Sequence, residues 1–127
     1  FLPRLVRRLR GKPLQWIEVS DLVGRLKDPR VITVIDVRGP DEFRGPLGHI
    51  AGARNLPVDE LPRQLKDLQA LADRPIVLVC RTDKRSANAA AVLDEAGFRD
   101  ILVLRGGMVR WNEMNFPVQD RCSHVRT

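Results

Sequence analysis

Cysteine is scarce in this chain. Two residues, Cys80 and Cys122, among 127 cannot build a disulfide framework and point to a reducing compartment. Aromatic side chains are also few, four phenylalanines and two tryptophans. They are not interleaved with basic residues as a surface that stacks on bases would be, which argues against nucleic-acid binding despite a net charge of +6. No apolar run approaches the ~20 residues of a membrane-spanning helix. No long apolar segment follows the basic residues 4–12, so this stretch does not read as a secretory signal peptide.

What remains is the composition of a soluble globular protein, 43% hydrophobic and 30% charged, large enough for one continuous core. The positive charge is concentrated at the start. Arg4, Arg7, Arg8, Arg10 and Lys12 come with no acid among them, and Leu2, Leu5, Val6 and Leu9 recur at helical spacing. Residues 1–14 therefore read as a basic amphipathic arm, 15–118 as the domain and 119–127 as a tail. The arm could pack on its own domain or a neighbour. Alternatively it could lie on an anionic membrane surface or follow a removed upstream span, since the chain begins with Phe1 and not Met. The expected compartment is the cytoplasm.

Along the domain, strand and helix patterns alternate. Ile17 to Val19 reads as a short strand, and Ser20 as the cap of a helix carrying Leu22, Val23 and Leu26, stopped at Asp28-Pro29. Val31 to Val37 is a β-branched run without polar alternation, as in a strand covered on both faces. A glycine- and proline-rich loop leads to a weak strand at Ala53–Leu56. Leu61, Leu65, Leu68 and Leu71 mark an amphipathic helix. Ile76–Val79 is a buried strand, Ser86–Ala96 a helix with an alanine-rich stripe ended by Gly97, and Ile101–Leu104 a last strand. Gly106-Gly107 then turns into a helix with Met108, Val109, Trp111 and Met114. This order predicts an α/β fold: an open parallel sheet with helices on both faces. In such sheets the ligand site lies beyond the carboxyl ends of the strands, where Asp36-Val37-Arg38 and Cys80 both fall.

Cys80 ends the strand and opens the segment Cys80-Arg81-Thr82-Asp83-Lys84-Arg85-Ser86. A helix start presents unpaired N–H groups and a partial positive charge, and Arg81, Lys84 and Arg85 stand against one acid, Asp83. Reactive thiolates occur in such settings. A buried structural cysteine closing a strand is the alternative that the residues alone leave open.

Taken in order, Asp36-Val37-Arg38, Glu42-Phe43, Gly48-His49-Ile50, Gly52-Ala53, Asn55 with Pro57, the loop from Cys80 to Ser86, and Leu104-Arg105-Gly106-Gly107 with Trp111 resemble the rhodanese (sulfurtransferase) family. The resemblance covers about residues 15 to 118. It implies a five-stranded rhodanese-like α/β sheet and a sulfurtransferase that needs no cofactor and no metal. Sulfane sulfur would pass from a small anionic donor, thiosulfate or a persulfide, through a Cys80 persulfide to a thiol or cyanide. By the same resemblance, backbone N–H groups from Arg81 through Thr82, Asp83, Lys84 and Arg85 to Ser86 cradle the sulfur. Arg85 rigidifies the loop, Arg81 and Lys84 face the donor, and Asp36, Arg38 and His49 support the loop from beneath.

Asp83 departs from the family pattern, which has glycine there. Aspartate tolerates a left-handed backbone better than most residues, but its charge weakens attraction for an anionic donor; it could equally serve the start of the following helix. His49 alone would be an ordinary hydrogen-bonding spacer, and Trp111 a packing residue at the site's edge. Cys122 and His124 are too few to hold a metal, although Cys122 could act as a resolving thiol. Two other functions compete with sulfur transfer: a non-catalytic binding or regulatory module of the same fold, and a cysteine phosphatase or arsenate reductase. Loop length separates the last pair from the first reading. Four residues lie between Cys80 and Arg85, one fewer than in phosphatase-type loops that ring a tetrahedral oxyanion.

Overall fold

The structure, a computed structural model, describes residues 13–28 and 30–119. The expectations for the amphipathic arm and for Cys122 and His124 fall on positions outside the described residues. Five strands, β1 (Trp16–Ile17), β2 (Thr33–Asp36), β3 (Arg54–Asn55), β4 (Ile76–Val79) and β5 (Ile101–Leu104), form one parallel sheet in the order β1-β5-β4-β2-β3. Five α-helices join them: α1 (Val19–Arg25), α2 (Pro40–Phe43), α3 (Leu61–Leu68), α4 (Lys84–Glu95) and α5 (Gly107–Glu113).

The period-two alternation of a strand divides the core. Val34, Val77, Val79, Leu102 and Leu104 face α1 and α5, meeting Leu22, Met108 and Trp111. Ile35, Ile76, Leu78 and Val103 face α3 and α4, meeting Leu61, Leu68, Ala89 and Leu93. Every residue of β4 is fully buried, which is why its sequence carries no polar alternation. On α4 the buried positions include Ala89 and Ala90. Their small side chains let this helix lie close to the sheet, fixing the direction of its first turn.

Several element boundaries differ from expectation: the first strand lies at Trp16–Ile17 and not Ile17–Val19, the second is shortened to Thr33–Asp36, and two helix starts move. The first helix begins at Val19, with Glu18 and not Ser20 at its cap. Val19 is drawn in by burial, at 3% exposure, while the Glu18 carboxylate accepts from Arg105 Nε at 2.8 Å. More consequentially, α4 begins at Lys84 and not at Ser86. Its first helical bond runs from the Ala87 N–H to the Asp83 carbonyl at 3.0 Å. The amides of Lys84, Arg85 and Ser86 are thus first-turn donors without a partner along the helix.

Below the carboxyl ends of β2 and β4 lies a buried ion pair. Arg38 Nε and Nη2 donate to the Asp36 carboxylate at 2.9 and 2.8 Å, and both side chains are 1% exposed. Further hydrogen bonds tie the pair and its backbone to neighbouring segments. Arg38 Nη2 donates to the Gly48 carbonyl at 2.7 Å, and Asn55 Nδ2 to the carbonyls of Asp36 and Arg38 at 3.1 and 2.8 Å. Removing one member strands the other charge in the core, at a cost of about 3–5 kcal/mol. Arg38→Met is therefore expected to lower the unfolding free energy in urea by about that amount; a loss of a few tenths would contradict the assignment.

Candidate active site

Cys80 continues the face of β4 that carries Ile76 and Leu78, and it is 1% exposed among the residues packed under α4. It is the only free cysteine among the described residues. One polar group reaches its sulfur: the Ser86 N–H donates to Sγ at 3.4 Å. Because α4 starts at Lys84, that amide belongs to the helix's unpaired first turn. Strand end and helix start are thereby joined through the sulfur.

The loop's carbonyls are tied in the opposite direction. The Met108 N–H donates to the Cys80 carbonyl at 2.9 Å and the Val109 N–H to the Arg81 carbonyl at 3.0 Å. These are first-turn donors of α5, so the open end of one helix restrains the loop that begins the other. Gly107, at φ +56°, permits the approach. A Cβ there would overlap the carbonyl oxygens of Cys80, Arg81 and Thr82, and a positive φ is strained for side-chain-bearing residues.

Arg85 is not turned to solvent as a lone cation. Its Nη1 and Nη2 donate to the two Glu42 oxygens at 2.6 and 2.9 Å, the bidentate geometry that guanidinium and carboxylate favour. Glu42 also accepts from the Gly39 N–H at 3.1 Å, closing the first turn of α2. The Arg85 guanidinium brings the Glu42 carboxyl down to about 2; partial burial opposes this, and the Gly39 N–H assists it. Arg85 is raised in turn, first by Glu42.

The α2 turn is braced by His49. Its Nδ1–H donates to the Phe43 carbonyl at 2.8 Å, and its ring stacks on Phe43 with centroids 3.6 Å apart. The His49 backbone pairs with Gln119, at 3.0 and 2.8 Å. A connected series of contacts therefore runs from Asp36 and Arg38 through Gly48 and His49 to Phe43, Glu42 and Arg85.

The remaining predicted residues sit at the rim. Arg81, Thr82 and Lys84 are exposed and Asp83 is half-buried. Asp83 holds the cap position of α4 at φ −147°, outside the left-handed region, and its side chain makes no cap hydrogen bond. Asp83 thus stands at the start of the following helix, as one reading had it, and serves it through its backbone carbonyl; its backbone does not take the left-handed conformation. Trp111 is 2% exposed in the α1–α5 core and donates Nε1–H to the Pro117 carbonyl at 2.9 Å. No group of three or more His, Cys, Asp or Glu able to hold a metal occurs among the described residues, and no described helix is long and apolar enough to cross a membrane.

Glu42 and Gly107 were not selected as site residues by sequence reasoning. Both lie in the quoted motifs, but the Glu42–Arg85 pair spans 43 positions, beyond any local pattern. Gly107 could have been noticed as the second glycine before a helix start.

Residues 18–114 match the rhodanese-like domain. The chain belongs to the rhodanese-like domain family. Among rhodanese-like relatives, it is 37% identical over 99 residues to the thiosulfate sulfurtransferase GlpE of Shewanella oneidensis, covering 78% of this chain and 93% of that one. It is 32% identical over 102 residues to a sulfurtransferase of Allochromatium vinosum, covering 80% and 92%. Against the uncharacterized protein YqhL of Bacillus subtilis, identity is 40% over 82 residues, 65% of this chain, and the match spans 62% of YqhL. A rhodanese-related protein of Thermoplasma volcanium shares the fold at a TM-score of 0.73 and 33% identity, covering 84% of this chain and 98% of its own. Relatives named sulfurtransferases support a transferase activity at the level of the family.

Acid stability tests the geometry around Glu42. A carboxylate whose folded value is depressed from 4.5 to about 2 stabilises the fold fully above pH 4.5, and that stability is lost as pH falls toward 2. Both partners are more than a third exposed, so solvent limits the effect to about 1 kcal/mol. Glu42→Gln is expected to flatten the melting-temperature profile between those values. An unchanged acid limb would show that the ion pair does not form in solution.

Proposed function

We propose that this protein is a single-domain sulfurtransferase of the thiosulfate sulfurtransferase type, with Cys80 as the sulfur carrier. The observation that carries this reading is the opposed restraint of one loop. Its first carbonyls are held outward by α5, while an unpaired α4 amide meets the Cys80 sulfur. N–H groups directed at a sulfur stabilise it as an anion, whether thiolate or persulfide.

In the first step the Cys80 thiolate attacks the outer sulfur of a donor such as thiosulfate. A new S–S bond forms, the donor's S–S bond breaks, and sulfite leaves with the bonding pair. In the second step a thiol or cyanide attacks the outer sulfur, and Cys80 recovers the electron pair. The sulfur passes at constant overall oxidation level, so the cycle requires no cofactor. The amides from Arg81 to Ser86 form the cradle, and Arg81 and Lys84 receive the anionic donor at the rim. Arg85, fixed by Glu42, holds the loop and is not available to bind the donor. Asp36, Arg38 and His49 support the loop from below. A thiolate that has to stay unoxidised between transfers suits the cytoplasm.

The frame alone does not select this chemistry. A Rhodopseudomonas palustris protein described as a possible tyrosine phosphatase has the same fold at 20% identity, with a TM-score of 0.75 over 84% of this chain. The spacing of four residues between Cys80 and Arg85 favours a ring sized for one sulfur atom. A binding module that has lost the chemistry would have no need of an amide directed at the thiol.

Incubation with a sulfane donor followed by intact mass is expected to show one added sulfur atom, absent in Cys80→Ala. No gain with any donor would favour the binding module, and Cys80-dependent turnover of a phosphotyrosine substrate would favour the phosphatase. In the same assay, Asp83→Gly is expected to raise the rate with thiosulfate by removing a negative charge from the rim. An unchanged or lower rate would contradict that role for Asp83.

A further inference from the structure

One buried side-chain polar atom is left without a partner among the described residues, the Ser86 hydroxyl. Ser86 is 0% exposed, and its own N–H is the group that reaches Cys80 Sγ. A serine in the first turn of a helix ordinarily turns its hydroxyl to solvent or to a nearby backbone group. Here solvent is excluded, and the hydroxyl has no hydrogen-bond partner within the protein. A buried hydroxyl without a partner is destabilising, and native structures retain very few. The energetic cost of this one falls beside the reactive sulfur.

We propose that the Ser86 hydroxyl binds the transferred sulfur, donating a hydrogen bond to the outer, anionic atom of the Cys80 persulfide. The assignment rests on the sulfur-carrier reading and adds a side-chain donor to its backbone cradle. Ser86 undergoes no covalent change. When a donor sulfur is bonded to Sγ, the hydroxyl gains an acceptor; when an acceptor thiol removes that sulfur, the hydroxyl is orphaned again. Ser86 thus favours the loaded state over the free state, and sets how firmly sulfur is held against competing thiols.

This differs from a structural role in a measurable way. A serine that merely packs or binds a trapped water stabilises free and loaded protein alike. A serine that waits for sulfur stabilises the loaded form alone. The experiment equilibrates the protein with glutathione and glutathione persulfide, reads the loaded fraction by intact mass, and records melting temperatures of both forms. Ser86→Ala is expected to shift the partition about tenfold toward glutathione, the worth of one hydrogen bond to a charged group. Its free form should melt no lower than free wild type, and its rise on loading should be smaller. Ser86→Thr, which keeps the hydroxyl, should restore the partition.

An unchanged partition in Ser86→Ala, with the free variant melting lower, would overturn the assignment and leave Cys80 as carrier. Failure of wild type to load at all would overturn the sulfur-carrier reading, and this assignment with it.

Discussion

The site depends on a close backbone contact between the Cys80 loop and the first turn of α5. Two amides there, of Met108 and Val109, take the loop's carbonyls at 2.9 and 3.0 Å, and the absence of a side chain at Gly107 makes the approach possible. A peptide unit fixed by its carbonyl is fixed in its N–H as well, because the group is planar. Restraining the carbonyls therefore limits where the loop amides can point. Two helix starts, each with unpaired donors, are used against one another: α5 anchors the loop and α4 meets the sulfur.

The charged residues serve this arrangement from the other side. The Asp36–Arg38 pair, with both side chains 1% exposed, joins the strand ends to the Gly48 turn. His49 and Phe43 carry that rigidity to α2, whose Glu42 clamps Arg85 in the first turn of α4. Buried ion pairs contribute little net stability compared with apolar packing, but breaking one is expensive. Here that asymmetry favours a single position for Arg85 over several. Of the loop's cations, Arg81 and Lys84 make no ion pair with the described residues and are exposed at the rim, where an anionic donor would arrive.

Much of this was legible in the sequence, for identifiable reasons. The β-branched run at Val31–Val37, without polar alternation, and the apolar run at Ile76–Val79 reveal strands covered on both faces, and the alternation with helical patterns gives a parallel sheet. The strand-ending Cys80 before a basic helix start locates the site. Less legible was the beginning of α4, because Lys84 and Arg85 read equally well as loop residues. Their helical state is set by the Asp83 carbonyl accepting from Ala87. The Glu42–Arg85 clamp and the Gly107 contact join segments far apart in the chain, and no local periodicity encodes them. Ser86 was recognisable as a loop residue, but the burial of its hydroxyl without a partner arises only in the packed site.

On the proposed function, backbone geometry more than any one side chain would make the loop a sulfur site, and amide proton resonances report on it directly. On loading the protein with sulfur, the amide protons from Arg81 to Ser86 should move downfield together as they bond to the added anion. Those of Met108 and Val109, bonded to loop carbonyls in both states, should hold their positions. Loop amides that stay in place, while the Met108 and Val109 amides lose their hydrogen bonds, would mean that sulfur is accommodated by opening the loop, and would contradict this account.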